Sequence, residues 1–116
     1  MVLLNLEITA AYATIANQGT YTRPVFYSQV IDSNGRVLLD NTTPTTHTVL
    51  KASTASLLTQ GMTSVITEGT GTSAKLDGKM PVSGKTGTTS SEYDLWFCGY
   101  TPYLTASIWT GYDENV

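Results

Sequence analysis

The segment 80–111 reads MPVSGKTGTTSSEYDLWFCGYTPYLTASIWTG and sets the architecture that we predict for this chain of 116 residues. Its β-branched and aromatic residues fall in three runs with the composition of β-strands: 80–88, 95–100 and 104–111. The two connections between the runs are short enough for hairpins. The segment therefore predicts a three-stranded antiparallel meander.

Two helices are predicted upstream of the meander. Apolar residues fall on one side of a helix over about 6–17, and Asn5 is its expected N-cap. A second apolar stripe runs from 55 to 65, with Ser53 as the expected cap. Gly61 lies inside this stripe at a cost of about 1 kcal/mol relative to Ala, so we expect it to mark a close packing contact.

A hairpin is predicted between the helices. Asn34-Gly35 separates the strand-like runs 21–31 and 36–39, and such a turn needs positive φ at both central residues. The polar segment 41–47 contains Pro44 and predicts an exposed loop, with His47 a solvated side chain. The order of helix, hairpin, helix and three strands predicts the α+β class, with helices packed against the meander and the hairpin as an insertion.

The composition is rich in hydroxyl groups and poor in charge. The sequence has 21 Thr, 10 Ser, 13% charged residues and a formal net charge of −3. Its Lys and Arg residues are scattered, which argues against nucleic-acid binding through phosphate contacts. One cysteine and one histidine cannot form the usual zinc site of four Cys and His ligands. We expect no nucleic-acid partner, no metal and no cofactor.

Targeting signals are not evident in the sequence. No apolar run approaches the roughly 18 residues of a membrane span. The start, Met1-Val2-Leu3-Leu4, lacks the charged region and the long apolar stretch of a signal peptide. Taken alone, the chain is expected to be soluble.

The heptapeptide SGKTGTT at 83–89 is the densest functional signal. Gly84-Lys85-Thr86 matches the end of a phosphate-binding P-loop, but Lys79 stands where that motif needs its first Gly. A P-loop also opens a helix, whereas this segment leads into turn residues and another strand. We therefore reject the P-loop interpretation.

Two interpretations of the heptapeptide remain open on residue chemistry alone. It is either an ordinary Thr-rich edge strand with a solvated lysine, or a strand whose edge binds an extended anionic peptide. In the second case Lys85 supplies positive charge, Thr86 a hydroxyl, Gly87 room for the ligand backbone and Thr88 its N–H and C=O. Strand alternation places Lys85 and Thr86 on opposite faces, so a shared ligand requires local twist or an edge position.

Lys85-Thr86-Gly87 resembles the K-T-G element of the serine penicillin-binding proteins and β-lactamases. Further segments strengthen the likeness, and they cover nearly the whole chain: 6–19, EGTGTSAK at 68–75, DLWFCGYTP at 94–102 and WTGYD at 109–113. On these motifs the chain resembles the transpeptidase domain of class A (bifunctional) penicillin-binding proteins.

The resemblance implies acyl transfer during peptidoglycan cross-linking. A serine would attack the D-Ala-D-Ala end of a stem peptide, and β-lactams would bind at the same place. Lys85 would hold the charge of the substrate carboxylate and tune the proton network, Thr86 would bind that carboxylate, and the Thr88 N–H would be one of two oxyanion-hole donors. The parent protein would lie at the extracytoplasmic face of the bacterial cell membrane.

The sequence also departs from the family pattern. No serine is followed by Lys three residues later or by Asn two residues later, so neither S-x-x-K nor S-x-N is present. We expect residues 1–116 to be a partial transpeptidase domain that carries the K-T-G strand and lacks the nucleophile-bearing half. That N-terminal half would be a partner, and the isolated chain would be inactive.

Two further expectations follow. The alternative to an enzyme fragment is a non-catalytic binding or structural module of a cell-envelope protein. If the chain is a fragment of a larger domain, its strands would lack sheet neighbours, so we expect dimerisation, strand exchange or marginal stability.

The remaining notable side chains are expected to have structural roles: Cys98 as a small buried hydrophobe, Trp96 and Trp109 in packing, and Glu92 and Asp94 as turn and cap residues.

Overall fold

The computed structural model describes residues 4–114 and has an α+β architecture, as predicted. The first half contains α1 (Asn5–Ala16), β1 (Thr20–Thr22), β2 (Gln29–Ile31), β3 (Val37–Asp40), β4 (Thr46–Thr48) and α2 (Ala52–Thr67). The second half contains β5 (Ser83–Thr88), β6 (Asp94–Tyr100) and β7 (Thr105–Gly111). Short 3₁₀ turns occupy Thr72–Ala74 and Ser90–Glu92.

The strands β5, β6 and β7 form the predicted meander. They lie in sequence order, and both neighbouring pairs are antiparallel. Lys85 is opposite Cys98, which is opposite Ser107 on β7. The meander is therefore a continuous sheet with β5 at one edge and β7 at the other, within the part of the chain that the structure describes.

Hydroxyl groups join both helices to this sheet. On α1, Asn5 and the Thr9 hydroxyl hydrogen-bond the Ser107 hydroxyl. On α2, the Thr59 hydroxyl lies 2.7 Å from the Tyr100 hydroxyl. The Thr63 hydroxyl lies 2.8 Å from that of Ser83, which also donates to the Thr59 carbonyl. Thr and Ser hydroxyl groups thus connect both helices to the sheet.

The apolar core is small. Its buried members are Ala55 and Ile66 on α2 and Cys98 and Tyr100 on β6. No helix in residues 4–114 has both the length and the hydropathy to cross a bilayer. The residues considered for a signal peptide lie, except for Leu4, outside the described part.

Both predicted N-caps are wrong. The N-cap of α1 is Leu4, whose N–H donates to the Glu7 carboxylate at 3.0 Å. Asn5 is already helical, and its side chain is used in the contact with Ser107. On α2 the N-cap is Lys51, and Ser53 lies inside the first turn.

The hairpin exists, but its turn differs from the expected one. Of the two central residues of the turn, Asn34 and Gly35, only Gly35 has a positive φ, of +81°. The Asp32 carboxylate accepts the N–H groups of Asn34 and Arg36, each at 2.9 Å, and the Gly35 N–H donates to the Asp32 carbonyl. Asp32 therefore organises the turn, and one left-handed residue is enough to close it.

The predicted long strand and the exposed loop were partly wrong. The run 21–31 divides into β1 and β2, with Pro24 in the interruption. Part of the supposed loop is β4, which pairs with β1. His47 is exposed as expected, but it lies in β4 with its ring centroid 5.0 Å from that of Tyr21.

Gly61 does not mark a close packing contact. A Cβ built there would meet no atom within 4 Å. Gly19 does mark such a contact, because it has φ +89° and an added Cβ would overlap the Leu50 carbonyl oxygen. The Gly19 carbonyl also accepts the N–H groups of Val49 and Leu50, so this residue joins the end of α1 to the start of α2.

We predict opposite effects for alanine at these two glycines. Gly19→Ala should lower the free energy of unfolding by about 2 kcal/mol or more, because it combines a left-handed backbone with backbone overlap. Gly61→Ala should raise it by about 1 kcal/mol, because the helix interior there has room for a methyl group. Urea unfolding of both variants checks the prediction, and two shifts of the same sign would contradict it.

Candidate ligand-binding edge

A large cleft lies beside β5. It has a volume of about 650 Å³ and is open to solvent on one side. Residues from α1, β5, β6 and β7 contribute to its lining, among them Tyr12, Lys85, Thr86, Gly87, Trp96 and Trp109. The cleft therefore surrounds the segment that the sequence marked as functional.

The hydrogen bonds at the ends of the meander define which way each backbone group of β5 points. Thr89 donates its N–H to the Asp94 carbonyl at 3.1 Å, in line with the pairing of Thr88 and Leu95. Residues of an antiparallel strand face their neighbour alternately. Thr88, one position before Thr89, therefore turns its N–H and C=O away from β6.

The other end of the sheet gives the same orientation. Thr101 donates its N–H to the Leu104 carbonyl at 2.9 Å, so the preceding residue, Tyr100, turns its backbone groups away from β7 and toward β5. Tyr100 is opposite Ser83. Ser83 thus faces β6, and by alternation Gly84, Thr86 and Thr88 face outward.

A hydrogen bond made by the Lys85 side chain is consistent with this orientation of the β5 backbone. Its Nζ donates to the Thr86 carbonyl at 2.8 Å, so that carbonyl is accessible from the open edge. Lys85 and Thr86 project to opposite faces of the sheet, yet both line the cleft because it curves around the edge strand. The edge position that a shared ligand requires is present.

Two neighbours constrain the K-T-G residues. The Thr70 hydroxyl lies 2.8 Å from the Thr86 hydroxyl. A Cβ added to Gly87 would meet the Cβ of Trp96 at 3.3 Å, so this glycine also permits tight packing against β6. The contact between Thr70 and Thr86 was not predicted, because nothing in the spacing of 70 and 86 indicates proximity.

Asp94 anchors the turn that follows the K-T-G strand. Its carboxylate accepts the Trp109 indole N–H at 3.0 Å and the Thr89 hydroxyl at 3.2 Å, and its N–H donates to the Thr89 hydroxyl oxygen. Ser91 and Glu92 within the turn have φ of +65° and +59°. Glu92 is thus a turn residue, as expected, whereas Asp94 is the first residue of β6, where it closes the turn and connects β6 to β7 through Trp109.

A family model for the penicillin-binding protein transpeptidase domain matches residues 5–113. The chain belongs to this family. The transpeptidase resemblance seen in the sequence is confirmed, and Lys85-Thr86-Gly87 lies on the edge strand β5.

Relatives and solved structures of penicillin-binding proteins are also similar to this chain. Penicillin-binding protein 1A of Clostridium acetobutylicum is 41% identical over 92% of the chain, and that of Aquifex aeolicus is 39% identical over 93%. Among solved structures, the penicillin-binding protein PonA1 of Mycobacterium tuberculosis aligns with a TM-score of 0.82 at 33% identity over 92% of the chain. PonA1 has also been solved in complex with penicillin V, with a TM-score of 0.81 at 32% identity over 92% of the chain.

The chain spans only a small part of the length of each relative. It covers 13% and 15% of the two penicillin-binding proteins 1A and 29% of the PonA1 chain in both structures. All four predicted site residues, Lys85 to Thr88, lie together on β5.

Among the other titratable side chains near the cleft, Cys98 and Tyr100 are buried and Tyr12 is half-buried. Burial raises the pKa of the Cys98 thiol above its usual value. Burial also raises the pKa of Tyr12, aided by the nearby Cys98 and Tyr100, and burial raises that of Tyr100 against the hydrogen bonds of Thr59 and Ser83. Cys98 is therefore a packing residue held as the thiol.

We predict that Cys98 reacts slowly with alkylating agents in the folded chain. The thiolate is the reactive form, and a raised pKa leaves less of it at any pH below that value. At pH 8, iodoacetamide should modify the folded chain at least about tenfold more slowly than the chain unfolded in urea. Mass spectrometry over time measures both rates, and equal rates would show that the thiol is exposed and unperturbed.

Proposed function

We propose that this chain is the substrate- and penicillin-binding part of a peptidoglycan D,D-transpeptidase. The observation that carries the proposal is the orientation of β5, which turns the backbone groups of Thr86 and Thr88 to the open edge, beside the cleft that Lys85 lines. Membership of the transpeptidase family supports it. So does PonA1, whose structure in complex with penicillin V aligns with most of this chain.

The ligand we propose is the extended D-Ala-D-Ala end of a stem peptide, or a β-lactam in its place. An extended peptide can add to the open edge through main-chain hydrogen bonds. The Thr86 hydroxyl would bind the terminal carboxylate, and the Lys85 ammonium would offset its negative charge. Gly87 leaves the strand without a side chain where the peptide approaches.

The outward N–H of Thr88 is proposed as an oxyanion-hole donor. When a serine oxygen attacks the carbonyl of the penultimate D-Ala, negative charge develops on the carbonyl oxygen, and an oriented N–H stabilises it. The peptide bond then breaks, and D-Ala leaves with a proton on its nitrogen. An amine from another strand attacks the resulting ester, forms the cross-link and frees the serine.

The nucleophile must come from residues other than these 116. The sequence contains neither S-x-x-K nor S-x-N. We therefore propose that residues 1–116 are a partial transpeptidase domain and that its nucleophile-bearing half is the partner that completes the site. Because peptidoglycan is assembled outside the cell membrane, the parent protein would act at the extracytoplasmic face of the bacterial membrane.

The absent motifs also favour a second candidate. A chain without a nucleophile could be a non-catalytic binding or structural module of a cell-envelope protein that retains the edge strand. The two candidates differ in whether β5 supports acylation when a nucleophile is supplied.

A chimera tests the transpeptidase proposal and predicts the effect of Lys85. Residues 5–113 would replace the equivalent segment of penicillin-binding protein 1A from Clostridium acetobutylicum, which supplies the rest of the polypeptide. We expect fluorescent penicillin to label the chimera, and Lys85→Ala to slow labelling by at least about a hundredfold, because it removes the positive charge beside the ligand carboxylate and the reacting carbonyl.

Lys79→Ala is the matched control. Lys79 is an exposed lysine that precedes β5, so its removal changes net charge equally without altering the edge. A folded chimera that is not labelled would favour the non-catalytic module. A Lys85→Ala chimera labelled at the unchanged rate would refute the role of Lys85.

The 116-residue chain alone should form no covalent adduct with penicillin. None of its serines is followed by the lysine that activates the family nucleophile. Intact-mass spectrometry after prolonged incubation with penicillin should show one species of unchanged mass. A stable adduct on a serine of this chain would show that the nucleophile lies within it.

A further inference from the structure

The segment 68–71, which reads EGTG, follows α2 and folds back over the last turns of that helix. The Gly71 N–H donates to the Val65 carbonyl at 2.9 Å. A Cβ added to Gly69 would lie 2.8 Å from the Cα of Val65, and one added to Gly71 would lie 2.9 Å from the Cδ1 of Ile66. Both glycines therefore permit a close contact with α2 that a side chain would prevent.

Thr70 lies between these two glycines and reaches the K-T-G strand. Its hydroxyl oxygen is 2.8 Å from the hydroxyl oxygen of Thr86 on β5, although 16 positions separate the two residues along the chain. Thr70 is exposed, so the contact depends on the hydrogen bond rather than on burial of its methyl group. One hydroxyl pair thus connects the end of α2 to the strand that we propose binds the ligand.

The number of protons in this pair limits how it can act. A hydroxyl group has one proton to donate and can accept two hydrogen bonds, whereas an ionised carboxylate can only accept. If Thr86 donated its proton to Thr70, no proton would remain for a ligand carboxylate. Thr70 must therefore be the donor when a carboxylate binds, so that Thr86 accepts from Thr70 and donates to the ligand.

We propose that Thr70 is a positioning residue for carboxylate recognition by Thr86. A threonine side chain has more than one accessible χ1 rotamer, and the bond from Thr70 selects one of them. The bonds from Thr70 to Thr86 and from Thr86 to the carboxylate form a chain in which each strengthens the other. Thr86 is also held through its carbonyl, which accepts the Lys85 ammonium at 2.8 Å. The inference rests on the proposed function, in which Thr86 binds the carboxylate.

The Thr86 rotamer tests the contact on the chain itself. Three-bond scalar couplings measured by NMR should show one dominant χ1 rotamer of Thr86 in the unchanged chain and in Thr70→Ser, which keeps the hydroxyl. Thr70→Val keeps the shape and removes the hydroxyl, so the couplings should change to those of averaged rotamers. Thr72→Val is the matched control, because Thr72 is exposed in the 3₁₀ turn that follows. A single Thr86 rotamer in Thr70→Val would overturn the proposal.

Acylation of the chimera described above tests the consequence for the ligand. Thr70→Val should slow labelling by fluorescent penicillin about fivefold to tenfold, which is the loss expected from one hydrogen bond. Thr70→Ser should restore labelling, and Thr72→Val should leave it unchanged. Labelling at low penicillin concentration measures the second-order rate constant, to which binding and acylation both contribute.

A second background separates positioning from packing. In a Thr86→Val chimera no hydroxyl remains for Thr70 to orient, so adding Thr70→Val should cause no further slowing. Equal slowing in both backgrounds would overturn the proposal, because Thr70 would then act through the fold of its segment. Unchanged labelling of Thr70→Val in a chimera that reacts with penicillin would overturn this inference alone. A folded parent chimera that is not labelled would contradict the proposed function, and this inference with it.

Discussion

The alternation of backbone groups along β5 is the constraint on which the site depends. Each residue of an edge strand directs its N–H and C=O either to its neighbour or to the open side. The bond from Thr89 to Asp94 sets this alternation at one end, and the bond from Thr101 to Leu104 sets it independently at the other. Shifting the register by one residue would turn Thr88 inward and remove the outward N–H that the proposed chemistry needs.

The packing around the sheet relies on hydroxyl groups more than on a large apolar core. Tyr100 and Ser83 are held by Thr59 and Thr63 of α2, and Ser107 is held by α1. Such bonds have stricter geometry than apolar contacts, so they position the helices relative to the strands. They contribute only about 1 kcal/mol each to stability.

Sequence reasoning succeeded where the signal is local and failed where distant residues decide the outcome. The meander and both helices follow from periodicity within each segment, and the K-T-G residues follow from a contiguous motif. The Asn5 cap failed because that side chain hydrogen-bonds Ser107, about a hundred positions away. Gly61 and Gly19 could not be distinguished without knowing that the Leu50 carbonyl lies against Gly19.

Contacts between distant residues of the site were likewise not predictable from the sequence. Neither the contact of Thr70 with Thr86 nor that of Asp94 with Trp109 is visible in the spacing of the sequence. The register explains the second one, because Asp94 is opposite Gly111, and Trp109 is the diagonal neighbour on the same face.

Amide hydrogen exchange along β5, followed residue by residue by NMR, tests the central claim most directly. We expect the exchange rates to alternate along β5. Exchange should be slow at Lys85 and Gly87, whose N–H groups face β6, and fast at Thr86 and Thr88, whose N–H groups face the open edge. Slow exchange at Thr86 and Thr88 with fast exchange at Lys85 and Gly87 would contradict it, because the K-T-G strand would then turn its donors away from the ligand.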